Sequence, residues 1–118
     1  MLRALLVATA LLLAAPAHAE VLGGRPAGCP HAFCGCGLSL HLFGRIIPAL
    51  NLARNWLRFP RTYAAPGMVA VRAHHVMKLE RPGSRPGTWV VYDANGGRHL
   101  TWRHERSIAG YVIVNPRG

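Results

Sequence analysis

Acidic side chains are scarce in this chain. Of 118 residues only four carry a carboxylate, Glu20, Glu80, Asp93 and Glu105, against 14 Lys and Arg, and the net charge is +10 with His neutral. Lysine is nearly missing too, since Lys78 stands beside 13 arginines. Those arginines form no dense block and no basic–aromatic motif, so nucleic acid is not the expected partner. Cysteine is limited to three residues, an odd number that pairing within one chain leaves unfinished. After residue 15 no apolar run approaches the roughly 20 residues a membrane-spanning helix needs. The length excludes a multidomain enzyme and a dinucleotide-binding domain with a separate substrate domain. The composition also excludes a coiled coil, while 51% hydrophobic residues is too many for a disordered polycation.

What is present begins with MLRALLVATALLLAAPAHAE. Arg3 supplies a positive start, and Ala4 to Ala15 is a largely apolar run of twelve residues, too short to cross about 30 Å of hydrocarbon. Pro16 breaks it, and Ala17-His18-Ala19 has the small-x-small pattern of a cleavage site. Residues 1–19 therefore read as a secretory signal peptide. Loss of Arg3 leaves 13 basic and four acidic residues in 20–118, a net +9. An exported protein of that charge, in the periplasm or beyond the cell, is drawn to anionic envelope polymers or, peripherally, to lipid head groups. Nothing in the sequence demands an oligomer, and a monomer is the expectation.

Residues 20–32 are Gly- and Pro-rich (VLGGRPAGCP at their centre) and read as a loop or extended arm. A short helix is expected from about Cys34, with Leu38 and Leu42 on one face and Gly44 as its C-cap. A second helix is expected over Ile47 to Leu57, ended by Pro60. The period then changes to that of strands: Met68 to Arg72, His75 to Glu80, Thr88 to Asp93, Thr101 to His104 and Ile108 to Val114, with a turn at Asn95-Gly96-Gly97. Helices followed by an antiparallel sheet of about five strands make an α+β fold.

The cysteines lie at Cys29, Cys34 and Cys36. In an oxidising compartment Cys29 pairs with Cys36, leaving Cys34 free, or with Cys34, leaving Cys36 free; all three reduced is the third state. Zinc ligation by this cluster with His31 does not match the usual knuckle spacing, so no metal is expected. A leftover thiol at a helix start meets unsatisfied N–H groups and the positive end of the dipole, which favour a thiolate. Such a nucleophile needs a base, and the base an orienting partner. His75 opens one strand and Asn95 follows the next, so Cys34, His75 and Asn95 make a papain-type set. Cys36 and Asp93 are the alternates for the first and third roles. Cys34 is preferred because it places Leu38 and Leu42 beneath it. His74 and His75, read as strand neighbours, face opposite sides. His31, His41, His99 and His104 are expected to be solvated.

Six segments between Phe33 and Pro116 occur in the order of a known family. They are Phe33-Cys34-Gly35, Ala53-Arg54-Asn55-Trp56-Leu57, Pro66-Gly67-Met68-Val69, His75-Val76, Asp93-Ala94-Asn95-Gly96 and Ile108-Ala109-Gly110-Tyr111. Residues 33–118 thereby resemble the CHAP group (cysteine, histidine-dependent amidohydrolases/peptidases), related to NlpC-type cell-wall peptidases. Phe33, His74 and Met68 depart from that pattern, which has Trp, Gly and Asp there. The resemblance implies a small papain-like fold and cleavage of an amide bond in peptidoglycan, without a cofactor. The competing expectation is a non-catalytic, disulfide-stapled basic domain that binds peptidoglycan or another anionic envelope polymer.

Overall fold

The computed structural model describes residues 18–118. Apart from its last two positions, the expected signal peptide lies outside the described residues. The described chain runs β1 (Glu20–Gly23), α1 (Cys34–Phe43), two 3₁₀ turns (Pro48–Asn51 and Ala53–Arg58), then β2 (Val69–Arg72), β3 (His75–Pro82), β4 (Thr88–Gly97), β5 (Leu100–Ser107) and β6 (Val112–Val114). The strands form one sheet in the order β1-β5-β4-β3-β2-β6, antiparallel at every junction. The fold is α+β, with short helical elements packed on an antiparallel sheet of six strands rather than about five.

The sixth strand is the start of the expected arm. Val21 pairs with Trp102 of β5, so backbone hydrogen bonding covers an edge that would otherwise stand open. The two-residue apolar run Val21-Leu22, between Glu20 and Gly23, is too short to announce a strand. The second expected helix is replaced by the two 3₁₀ turns, because Pro48 starts a new turn and Leu52, extended at φ −86° and ψ 119°, separates the two. The last strand is shorter than expected, since residues 108–111 close a turn through the Tyr111 N–H on the Ile108 carbonyl at 3.0 Å.

Helix α1 starts and stops where its residues require. Gly44 adopts φ 71° and returns its N–H to the Leu40 carbonyl at 2.9 Å. The helical face buries Cys34 and Leu38 with Trp56, Val69, Val71, Val76 and Val114. The Trp56 indole N–H is satisfied by the Leu50 carbonyl at 2.9 Å. The far side of the sheet buries Ala70, Met77, Leu79 and Val91 beneath Trp89, Ile108, Tyr111 and Ile113. Both faces are thus covered, and the first residue of α1 is held against the β2–β3 end of the sheet.

Glycine makes that seating achievable. A Cβ on Gly35 would lie 2.0 Å from the Leu50 carbonyl oxygen, a backbone atom that cannot swing away. Gly35→Ala is expected to lower stability by about 2 kcal/mol, the overpacking cost outweighing the gain of about 1 kcal/mol in helix propensity. Urea unfolding checks this against Gly24→Ala, where a Cβ meets nothing within 4 Å; equal midpoints for the two variants would contradict the packing.

Candidate active site

The disulfide joins Cys29 to Cys36 across 5.7 Å between Cα atoms, which leaves Cys34 as the free cysteine. Cys36 is therefore removed as a nucleophile, because its sulfur is committed to the loop before the helix. It also leaves the Cys29, Cys34, Cys36 and His31 set without two of its thiolates, and no group of three metal-ligating side chains is found among the described residues. Cys34 is the first residue of α1, only 6% exposed, and its thiol faces the His74 carbonyl at 3.9 Å. Phe33 at the N-cap makes no side-chain capping bond, and the first turn holds no acidic residue. The first intrahelical bond is the Gly37 N–H on Phe33 at 2.7 Å. The amides at the very start of α1 consequently have no partner within the helix, and their partial positive charge lies at the thiol.

His75, 15% exposed, donates from Nε2 to Asp93 Oδ1 at 2.5 Å. With Nε2 so engaged, Nδ1 is the nitrogen left for the Cys34 thiol. Burial works to lower the His75 pKa. The hydrogen bonds to Asp93 and Cys34, with the charges behind them, overcome that and raise it to about 9. The imidazole is thus held as an imidazolium beside the sulfur at neutral pH.

Asp93 is fully buried, and three donors converge on it. His104 Nε2–H reaches Oδ2 at 2.7 Å and Arg106 Nη1–H reaches the same oxygen at 2.8 Å, while His75 holds Oδ1. Burial would raise the carboxyl pKa; the bonds from His104 and His75 and the charges of His75 and Arg106 hold it well below the usual carboxylate range. A buried carboxylate held by three donors is both ionised and fixed in place, the two properties an orienter of imidazolium needs.

The side chain that meets His75 is therefore the alternate, Asp93, and not Asn95. The sequence Asn95-Gly96-Gly97 is not a turn but a bulge inside β4, where pairing passes from Asp93↔Trp102 directly to Gly97↔Leu100. Asn95 sits in the left-handed region at φ 54° and makes no side-chain hydrogen bond among the described residues. The true turn is Arg98–His99, both at positive φ (56° and 57°), the backbone form that suits a two-residue hairpin. Gly96 belongs to the site through its missing side chain: a Cβ there would fall 2.4 Å from Asp93 Oδ2.

Two further residues hold Asp93: His104, expected to be solvated, and Arg106, which no sequence motif marks. Their signal was alternation: Trp102, His104 and Arg106 share one face of β5, beside β4 and its buried carboxylate. His74 also differs from expectation. It lies in the two-residue turn between Arg72 and His75, which pair across it, so the opposite-faces argument for strand neighbours does not apply. It stands exposed at the mouth of the site.

An open pocket of about 270 Å³ adjoins Cys34, walled by Ala32, Asn51, Leu52, Arg54 and His74 among others. It gives the thiol, otherwise almost enclosed, an approach from solvent. No described helix is long and apolar enough to cross a membrane. No family model, curated protein or solved structure matches this chain.

Proposed function

We propose that this chain is an exported cysteine amidase or endopeptidase of CHAP type, acting on an amide bond of peptidoglycan through Cys34, His75 and Asp93. The observation that carries the reading is His75 hydrogen-bonded to a buried, ionised Asp93, with the free thiol at an uncapped helix start among the groups that raise its pKa. The substrate class and the export come from the family resemblance and the leader-like first 19 residues.

The Cys34 thiolate attacks the amide carbonyl carbon, and the carbonyl electron pair moves onto oxygen. The Cys34 backbone N–H, at the helix start, faces that oxyanion. The tetrahedral adduct collapses as the C–N bond breaks, and the His75 imidazolium gives its proton to the departing amine. The resulting thioester is attacked by water, whose proton His75 takes. The second adduct collapses as its C–S bond breaks, the acid leaves, and the Cys34 thiolate and His75 imidazolium are restored. Asp93 stays ionised throughout and keeps the imidazole oriented. Thiol acyl transfer of this kind requires no metal or organic cofactor.

A second reading is favoured by the charge distribution. All four carboxylates are engaged: Glu20 and Glu80 with Arg103, Asp93 as described, and Glu105 with Ser84. Most arginines are left to face solvent, which suits a monomeric, non-catalytic domain held on peptidoglycan, another anionic polymer or lipid head groups, with Cys34 inert.

Alkylation of unreduced protein by iodoacetamide between pH 5 and 9, with peptide mapping, separates the two. Under the hydrolase reading Cys34 labels rapidly at pH 6, and His75→Ala slows that labelling by at least about tenfold. Labelling at pH 6 that ignores His75→Ala, or that waits for denaturation, leaves the binding domain as the surviving reading.

A further inference from the structure

Cys34 is nearly enclosed, so the walls of the adjoining pocket select what reaches it. Two of those walls are cationic or hydrogen-bond donating. Arg54, from the second 3₁₀ turn, and His74, from the β2–β3 turn, are both exposed, and neither side chain has a hydrogen bond or ion pair among the described residues. Elsewhere the molecule neutralises its few carboxylates thoroughly, and none of the four lines this pocket. The positive field at the mouth of the site is therefore unopposed, and low-dielectric walls concentrate such a field. A third wall group is the Asn51 carboxamide, whose oxygen is buried without a hydrogen-bond partner. An acceptor left in that condition costs stability until a donor meets it.

We infer that the pocket is a recognition subsite for a peptide carrying a free carboxylate next to the bond that is cut, the carboxylate held by Arg54 and His74 and a peptide N–H accepted by Asn51. This rests on the cysteine-hydrolase reading of the same site and deepens it. A carboxylate brings what the guanidinium lacks, and a neighbouring amide N–H brings what the Asn51 oxygen lacks. Arg54 presents a planar fork suited to a carboxylate's two oxygens. An uncharged peptide would satisfy Asn51 but leave Arg54 without a partner, so the site discriminates by charge as well as by shape.

The test uses two reagents of nearly equal size that differ in charge, iodoacetate and iodoacetamide. In both, the Cys34 sulfur displaces iodide and forms one C–S bond. The quantity read is the ratio of the two rates at Cys34 in the full chain. Arg54→Gln is expected to lower the iodoacetate-to-iodoacetamide ratio about fivefold, the size expected of one poorly screened unit charge near a surface. Arg54→Lys keeps part of the preference, because the charge remains and the fork is lost. Arg117→Gln, an equal change of net charge away from the pocket, leaves the ratio as it was. Raising the salt shrinks the wild-type ratio toward that of Arg54→Gln. If both reagents label Cys34 in a His75-dependent manner but the ratio ignores Arg54, the carboxylate subsite is wrong and the hydrolase reading stands. If neither reagent shows His75-dependent labelling, the hydrolase reading and the subsite fall together.

Discussion

Asp93→Asn is expected to lower the proposed amide hydrolysis by about 10³- to 10⁴-fold while Cys34 and His75 stay in place. The neutral amide can offer His75 an N–H instead of an acceptor, which selects the wrong tautomer; loss of the orienting carboxylate in hydrolases of this logic costs that much. The substitution also strips His104 and Arg106 of the oxygen on which both converge. His104→Gln, which keeps a donor, should retain most of the activity, and Asn95→Ala should retain nearly all of it. Steady-state turnover of a soluble peptidoglycan fragment, with Cys34→Ala as the zero, checks all three. An Asn95→Ala variant as impaired as Asp93→Asn would return the third role to Asn95.

The second large effect is a window of stability in pH. His75 has its folded pKa raised to about 9 from 6.5. Its contribution is therefore complete below about 6.5 and is lost as pH rises through about 9. The shift corresponds to about 3 kcal/mol at most. Asp93 has its folded pKa depressed below 3.8, so its contribution is present above that value and is lost as pH falls through the folded one. The two limbs report one hydrogen-bonded cluster from two sides and are not to be added. The groups facing it are Cys34 on α1, His75 on β3, and His104 and Arg106 on β5. Urea midpoints from pH 3 to 10 should trace a plateau that falls on both sides, and Asp93→Asn should flatten both. A wild-type midpoint unchanged between pH 6.5 and 9 would show that His75 gains nothing from its neighbours.

Much of this was legible in the chain. The helix start at Cys34 and its stop at Gly44 follow from local chemistry, the stop being a left-handed residue that glycine supplies at little cost. The strand runs at β2, β3 and β4 follow from β-branched and aromatic residues bounded by turn residues. The α+β class follows from their order. Cys34 and His75 stand out because a thiol needs a base, and a helix start followed by a strand can bring them together. The two 3₁₀ turns in place of the expected second helix were not legible, since Pro48 near its start is compatible with a helix and the break falls at Leu52, which is no breaker residue.

Which of Asp93 and Asn95 meets His75 was not legible, and the reason is register. Asp93 and Asn95 are two residues apart, and alternation gives them the same face. A bulge breaks the alternation between them, and whether it forms depends on how β5 pairs with β4. The same register brings His104 and Arg106 onto Asp93, contacts across strands that no local pattern contains. The disulfide had two workable pairings from spacing alone, and the packing of the loop before α1 decided it. The sequence by itself determined the elements, the charge and the supply of chemical groups, because these rest on interactions between near neighbours in the chain. Tertiary structure decided which groups meet, because burial of Asp93, the Gly35 seat and the pocket at Arg54 each depend on residues brought together from distant positions.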